Sequence, residues 1–318
     1  MVIGAFAPAT VSNVGCGFDV LGFALDAPGD VVVARALDHS GVEILDIDGD
    51  DGRLPRDPAK NTASTAAHAL LTRLGTRQGI GLTIHKGMPL ASGIGSSGAS
   101  AVAAVVAVNE LLGRPASLDV LLACAMEGEV AGCGAAHPDN VAPALYGGFL
   151  LARPSTPLRA SSMTPPDVVP LPVPSGLSCA LLHPHVEVKT ADARAVLGDT
   201  VALRDAVQQW ANVGALVAAL HSSDLALLSR ALEDRIAEPK RASLVAGLPE
   251  VKEAAKAVGA LGCSLSGAGP SMFALCASRA TAEAAGTAMR DAYRTATGRD
   301  ADVWVSPVGA GGARIVTL

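Results

Sequence analysis

Pro89-Leu90-Ala91-Ser92-Gly93-Ile94-Gly95-Ser96-Ser97-Gly98-Ala99-Ser100 packs three glycines and four serines into twelve residues. It leads straight into an Ala/Val-rich stretch, Ala99 to Leu112, stopped by Gly113. Small apolar side chains lie nearly all round that stretch, which predicts a buried helix. Glycines let a backbone turn with positive φ and come close to a ligand. The first amides of the helix have no intrahelical partners and sit at the positive end of its dipole. The loop therefore predicts an anion site, with the Ser96 and Ser97 hydroxyls as further donors to a phosphate or a metal-bound water. Without a ligand, it would only cap the helix.

Three common motifs fit it poorly. Gly93-Ile94-Gly95-Ser96-Ser97-Gly98 spells G-x-G-x-x-G, but a Rossmann turn follows its strand directly. Here Lys86 to Ser92 intervene, and the only acid downstream, Glu110, lies inside the helix. A Walker loop needs Lys after its last Gly, where this chain has Ala99. Neither serine has the G-x-S-x-G frame of a hydrolase elbow. A phosphate cradle of another family remains, with a Rossmann-type nucleotide-binding protein as the distant alternative.

Outward from the loop, Val2 to Phe6, Asp30 to Ala36, Val42 to Ile47 and Gly81 to His85 read as strands. Thr62 to Leu74 reads as a helix stopped by Gly75, and Ser117 caps another that runs to about Ala131. Seven prolines between Pro154 and Pro174 predict a linker. Beyond it, Ser178 to His183, Ser271 to Cys276 and Asp302 to Ser306 read as strands. Leu203 to Leu220, Asp224 to Leu232, Glu250 to Leu261 and Thr281 to Thr297 read as helices. Strands and helices mix without a βαβ repeat, so the class is α+β. The expected division is 1–153, a linker at 154–174, and 175–318.

The loop resembles the ATP-binding motif of the GHMP small-molecule kinases, approximately P-x-x-x-G-L-G-S-S-A, with Ile94 for Leu and Gly98 for Ala. Two further stretches agree in order. Ala7-Pro8-Ala9-Thr10-x-Ser12-Asn13-x-Gly15-x-Gly17-Phe18-Asp19 is similar to that family's first motif, and Ser266-Gly267-Ala268-Gly269-Pro270-Ser271 to its third. The resemblance implies a ribosomal protein S5 domain 2-like N-terminal domain that binds ATP and a ferredoxin-like C-terminal domain. It places ATP on Asn61, Lys86 and Pro89-Leu90-Ala91-Ser92-Gly93-Ile94-Gly95-Ser96-Ser97-Gly98-Ala99, and Mg²⁺ on Ser97 and Glu129. Glu127, two positions away, points off another face of the helix and reads as solvated.

Further segments resemble the homoserine-kinase branch: Gly17 to Gly22, His137-Pro138-Asp139-Asn140-Val141-Ala142-Pro143-Ala144, Glu187 to Arg194, and Ile236 to Arg241. The mevalonate- and galactose-type members carry a catalytic Asp that no residue here matches; another kinase of this family is the alternative. The resemblance puts Asn13, Asp19, His137, Asn140, Thr190, Arg194 and Arg241 around the substrate, with Glu129, Ser97, Asn140 and Arg194 as the catalytic set. It implies L-homoserine as substrate, O-phospho-L-homoserine and ADP as products, a place in threonine synthesis, and a homodimer. A zwitterion suits that set, since an ammonium wants a carboxylate and a carboxylate wants a guanidinium fork. With no base in evidence, the hydroxyl proton is expected to pass late to the γ-phosphate, because a loose transition state puts little early charge on the nucleophile.

Composition sharpens the partners. The chain has 318 residues, half of them apolar, and a net charge of −6. A large core is affordable, and an acidic balance argues against nucleic acid. No apolar run reaches the ~18 residues of a membrane span. The first basic residue is Arg35, so no export signal is read. Cys16, Cys124, Cys133, Cys179, Cys263 and Cys276 lack metal spacing and read as reduced core residues of a cytoplasmic protein. His183-Pro184-His185 has two-ligand spacing but no third partner. Only nine residues are aromatic, which fits a small polar substrate that offers nothing for a ring to stack on.

Overall fold

The computed structural model describes residues 1–153 and 167–317. The chain opens with β1 (Val2–Ser12), β2 (Leu21–Leu37) and β3 (Val42–Asp48). Then come α1 (Thr62–Leu74), β4 (Gly79–His85), α2 (Ser96–Leu111), α3 (Leu118–Cys133), α4 (Pro138–Tyr146) and β5 (Phe149–Arg153). After residues 154–166 follow β6 (Asp167–Leu171), β7 (Ser178–Pro184), α5 (Thr190–Ala195), α6 (Leu203–Ser222), α7 (Leu225–Ala231), α8 (Ala237–Arg241) and α9 (Leu248–Ala257). The chain closes with β8 (Gly262–Leu265), β9 (Met272–Cys276), α10 (Arg279–Thr297), β10 (Ala301–Pro307) and β11 (Arg314–Val316).

The first sheet runs β11-β1-β2-β4-β3, and β5 joins the other half of β2 with β6 beyond it. Only β3 and β4 are parallel; the other pairs are antiparallel. That pattern excludes the Rossmann alternative, which needs a parallel sheet. Helices α1, α2 and α3 pack together, and α2 lies on β1 and β2. From Ala101 to Val105 every side chain of α2 is fully buried, as its small residues predict. The second sheet, β10-β7-β9-β8, is antiparallel throughout. Its βαββαβ order is the ferredoxin-like pattern. The α+β class and the two-domain expectation both hold.

Three expectations fail, each for a physical reason. The stretch read as a linker is not one throughout: Asp167 to Leu171 pairs with β5 as an edge strand, where prolines are tolerated. Residues 154–166 of that stretch lie outside the described residues. The C-terminal segment does not stay in its own domain, because Arg314 to Val316 pairs with Gly4 to Phe6 on β1. And α2 starts at Ser96 rather than Ala99, so the helix begins inside the glycine loop.

Candidate active site

The N-terminus of α2 opens onto a cleft lined by residues of both domains, a cavity of about 380 Å³. Gly95, the N-cap, takes the left-handed conformation at φ +74. The first helical bond runs from the Ala99 amide to the Gly95 carbonyl at 2.9 Å. The amides of Ser96, Ser97 and Gly98 therefore lie outside the ladder and at the positive end of the helix dipole.

The loop's shape is set by close contact with the third glycine motif. A Cβ on Gly93 would stand 2.5 Å from the Gly269 carbonyl oxygen and 2.6 Å from that of Ser266. The Ser266 hydroxyl donates to the Gly93 carbonyl at 2.8 Å, and the Ser271 amide to the Ser92 carbonyl at 3.3 Å. The third motif thus braces the loop, and also supplies Gly267 and Ala268 to the cavity wall.

Ser97 and Glu129 face each other across this wall, with the serine hydroxyl donating to Oε1. Glu129 is 3% exposed, and its Oε2 lies 3.1 Å from Nδ1 of His137. That carboxylate holds the imidazole pKa above its ordinary value. Among the described residues no cluster of three or more His, Cys, Asp or Glu could cage a metal. A hydroxyl and a carboxylate are nevertheless the donor set Mg²⁺ takes when phosphate oxygens complete its shell.

On the opposite side the first motif folds into a tight turn. Asn13 and Asp19 both take positive φ, +65 and +59. The Asn13 Oδ1 accepts from the Asp19 amide at 2.9 Å, and its Nδ2 donates to the Gly267 carbonyl at 2.8 Å. Asp19 binds the Arg194 guanidinium through both oxygens, at 2.7 and 3.2 Å. Arg241 is buried and donates to the carbonyls of Ala193 (3.0 Å) and Gly267 (2.9 Å). Burial and the neighbouring Arg194 depress its pKa.

Most of the residues expected around the ligands meet here: Asn13, Asp19, Ala91, Ser92, Gly93, Gly95, Ser96, Ser97, Gly98, Glu129, His137, Asn140, Thr190, Arg194 and Arg241 all line the cavity. Others expected at the nucleotide are absent from its wall. Ile94 and Ala99 are fully buried in the core, and Pro89 and Leu90 stop short of the cavity. Asn61 caps α1, accepting from the Ala63 amide at 3.0 Å. Lys86 is saturated where it stands. Its ammonium pairs with buried Asp30 and donates to the Ser96 carbonyl (3.0 Å) and the Ser100 hydroxyl (2.9 Å). That lysine is a strut under the first turn of α2, because a buried charge needs its full set of partners.

Three buried side-chain atoms lack a hydrogen-bond partner among the described residues: Ser12 Oγ, Ser96 Oγ and Asp139 Oδ1. All three belong to cavity-wall residues. Buried polar atoms are normally paired, so these mark positions that a ligand satisfies. Ser12 and Asp139 were not singled out from sequence. The available signal was an acid lodged between His137 and Asn140 in a motif already read as functional. Asp139 is 2% exposed, accepts from the Asn13 amide at 3.2 Å, and has its pKa pushed to about 7 by burial and by Asp19. His183, from the two-histidine spacing, is instead buried against the Ser271 hydroxyl at 3.0 Å.

A glycine-braced anion cradle at a helix start, on an S5-like domain joined to a ferredoxin-like one, defines a GHMP-type small-molecule kinase. Family models agree: GHMP kinases N terminal domain matches residues 61–148 and GHMP kinases C terminal matches 216–295, and the chain belongs to this family. Within it the chain stands with the homoserine kinases. It is 50% identical to the homoserine kinase of Chlorobium phaeovibrioides and 48% identical to that of Chlorobaculum tepidum, over 98% of this chain and 98% and 97% of theirs. The crystal structure of homoserine kinase from Cytophaga hutchinsonii superposes with a TM-score of 0.93 at 51% identity, covering 99% of this chain and 97% of that one. The crystal structure of L. major mevalonate kinase, at 17% identity and a TM-score of 0.73 over 96% of each chain, shares the fold.

Proposed function

We propose that this protein transfers the γ-phosphoryl group of ATP to the side-chain hydroxyl of L-homoserine, releasing O-phospho-L-homoserine and ADP. The observation that carries this reading is a cavity with an anion cradle at one end and a complementary acid and guanidinium set at the other, in a chain 50% identical to homoserine kinases over nearly its full length. The phosphates of ATP sit on the first-turn amides of α2, from Ser96 to Gly98, and on the Ser96 hydroxyl, so the cradle needs no basic patch. Ser97 and Glu129 are the donors that would hold Mg²⁺, which when bound offsets phosphate charge.

In the structure Asp19 and Arg194 neutralise each other across the cleft. A zwitterion replaces each partner for the other. Its carboxylate takes the guanidiniums of Arg194 and Arg241, and its ammonium takes Asp19 and the unpaired oxygen of Asp139. Asn140 lines the cavity beside Gly95, its Oδ1 accepting from the Thr10 hydroxyl at 3.1 Å, and in this reading its side-chain amide orients the acceptor hydroxyl. That hydroxyl oxygen forms a bond to the γ-phosphorus as the bond to the β,γ-bridging oxygen breaks. Its proton leaves late, to a γ-phosphoryl oxygen. The proposed setting is the cytoplasm and threonine synthesis; among the described residues no helix is long and apolar enough to cross a membrane. The proposed assembly is a homodimer, which light scattering on the eluted protein reads directly.

An ADP-release assay with ATP, Mg²⁺ and a panel of amino acids, mevalonate and galactose tests the substrate. Turnover with homoserine above all others is expected. Turnover only with mevalonate or a sugar would overturn the reading.

A further inference from the structure

Phe18 stands at the centre of the first motif, and the chemistry above gives it no task. It is not part of the cavity wall. The guanidinium carbons of Arg194 and Arg241 both lie over its ring, each 5.1 Å from the centroid. These two cations come from α5 and α8, from different parts of the C-terminal domain, and are needed together for one carboxylate. Held side by side without a ligand, they repel. Asp19 anchors Arg194, while Arg241 donates to the backbone carbonyls of Ala193 and Gly267. The ring face, negative by its quadrupole, attracts both cations and asks for no hydrogen bond, leaving their N–H groups for a ligand.

The ring itself is firmly placed. Its neighbour Asp19 is pinned by Asn13, and the Leu21 amide closes the turn on the Gly17 carbonyl at 2.9 Å. A Cβ on Gly17 would stand 2.4 Å from Leu21 Cβ, so the turn accepts no larger residue there. Resting on the functional reading given above, we infer that Phe18 is a positioning residue whose ring holds Arg194 and Arg241 together to grip the substrate carboxylate. It thereby sets the preference for an amino acid over the matching amino alcohol. One of the few aromatic residues in the chain thus stacks on the receptor's cations, with nothing of the substrate to stack on.

The test compares homoserine with 3-aminopropan-1-ol, which is homoserine without its carboxylate, in wild type, Phe18→Leu and Phe18→Tyr. Phe18→Leu should raise the KM for homoserine about tenfold with kcat and the KM for ATP within about twofold. Tenfold corresponds to about 1.4 kcal/mol, the scale of two partly exposed cation–π contacts. Its kcat/KM for 3-aminopropan-1-ol should stay at the wild-type value, so the preference for homoserine shrinks tenfold, and Phe18→Tyr should restore it. Phe18→Met, close in volume, replaces the leucine variant if that one does not fold. An unchanged homoserine KM overturns the inference. So does an equal loss on both acceptors and ATP, which would mean the ring only supports the fold. Wild-type enzyme inactive on homoserine would overturn the functional reading beneath it.

Discussion

A buried carboxyl with one oxygen unpaired costs stability, and Asp139 carries that cost inside the cavity. Its pKa stands near 7 against an ordinary 3.8, through burial first and the charge of Asp19 second; His137 and the Asn13 amide pull the other way. Between those two values the native state keeps a proton that the unfolded chain has released, so stability falls as pH rises through this window. Asp139→Asn removes the effect. Its Tm should exceed that of wild type at pH 8, and the gap should close towards pH 4; a gap independent of pH would assign the titration elsewhere. The same variant should lose roughly 10- to 150-fold in kcat/KM for homoserine, the scale of a lost charged hydrogen bond. Glu129→Gln should cut kcat about 100-fold or more, the scale of a lost transition-state contact, while nucleotide affinity by titration changes much less. Equal losses would remove Glu129 from metal ligation. At this scale the sequence made legible which residues would share one cavity wall, as with Glu129, Arg194 and Arg241. It was not legible for Asp139, Lys86 or Phe18, because what each does depends on what buries it. Lys86 looks like a nucleotide ligand until Asp30, 56 residues away in sequence, is seen to neutralise it.

At the scale of elements, the loop and α2 form one device, and the sequence placed the helix start three residues late. Ser96 to Gly98 read as loop because Ser and Gly are poor helix formers, yet the Lys86 strut holds the Ser96 carbonyl in the first turn and the third motif braces Gly93 just before it. Strand β2 was likewise only half read. Asp26 to Gly29 has the composition of a turn, but the strand runs through it and changes partners, β5 on one side and β4 on the other. The device makes a direct prediction at Gly95. A methyl there would stand 2.3 Å from Thr10 Oγ1 and 3.1 Å from Asn140 Oδ1, at a backbone φ of +74. Gly95→Ala should weaken nucleotide binding at least tenfold by calorimetry. Gly113→Ala carries a similar backbone penalty at φ +83, but with nothing within 4 Å of the added methyl. It should lose about 1 kcal/mol of stability with nucleotide binding intact. If both variants bind ATP alike, left-handed strain and not the crowded cradle is what Gly95 relieves.

For the whole molecule, two domains were legible, but their independence was not. The proline run suggests a boundary, yet strands from either side of it pair: β5 with β6, and β1 with β11. Phe23 and Phe149 of the first sheet meet at a tilt of 34° with centroids 5.5 Å apart, and Phe23 meets Phe273 of the second edge-on at 6.2 Å. All three rings are fully buried in one continuous core that also takes in Leu181, Leu216 and Leu275. Strand β11 returns to cover the free edge of β1. A fragment ending at residue 153 would lose that strand, lose β6 from β5, and expose two aromatic rings. The proposed substrate site spans the same junction, with Asp19 on one side of the cavity and Arg194 and Arg241 on the other. Folding of the two halves is therefore expected to be one event. The full chain should melt in a single transition by calorimetry. Phe273→Ala should cost about 3–5 kcal/mol as a buried aromatic deletion, which lowers Tm by about 5–7 °C for a chain of this length, with the transition still single and the homoserine KM raised as the cleft loosens. Two separated transitions in the wild type, or a 1–153 fragment that melts cooperatively alone, would show that the shared core is a contact between finished domains and not part of what folds them.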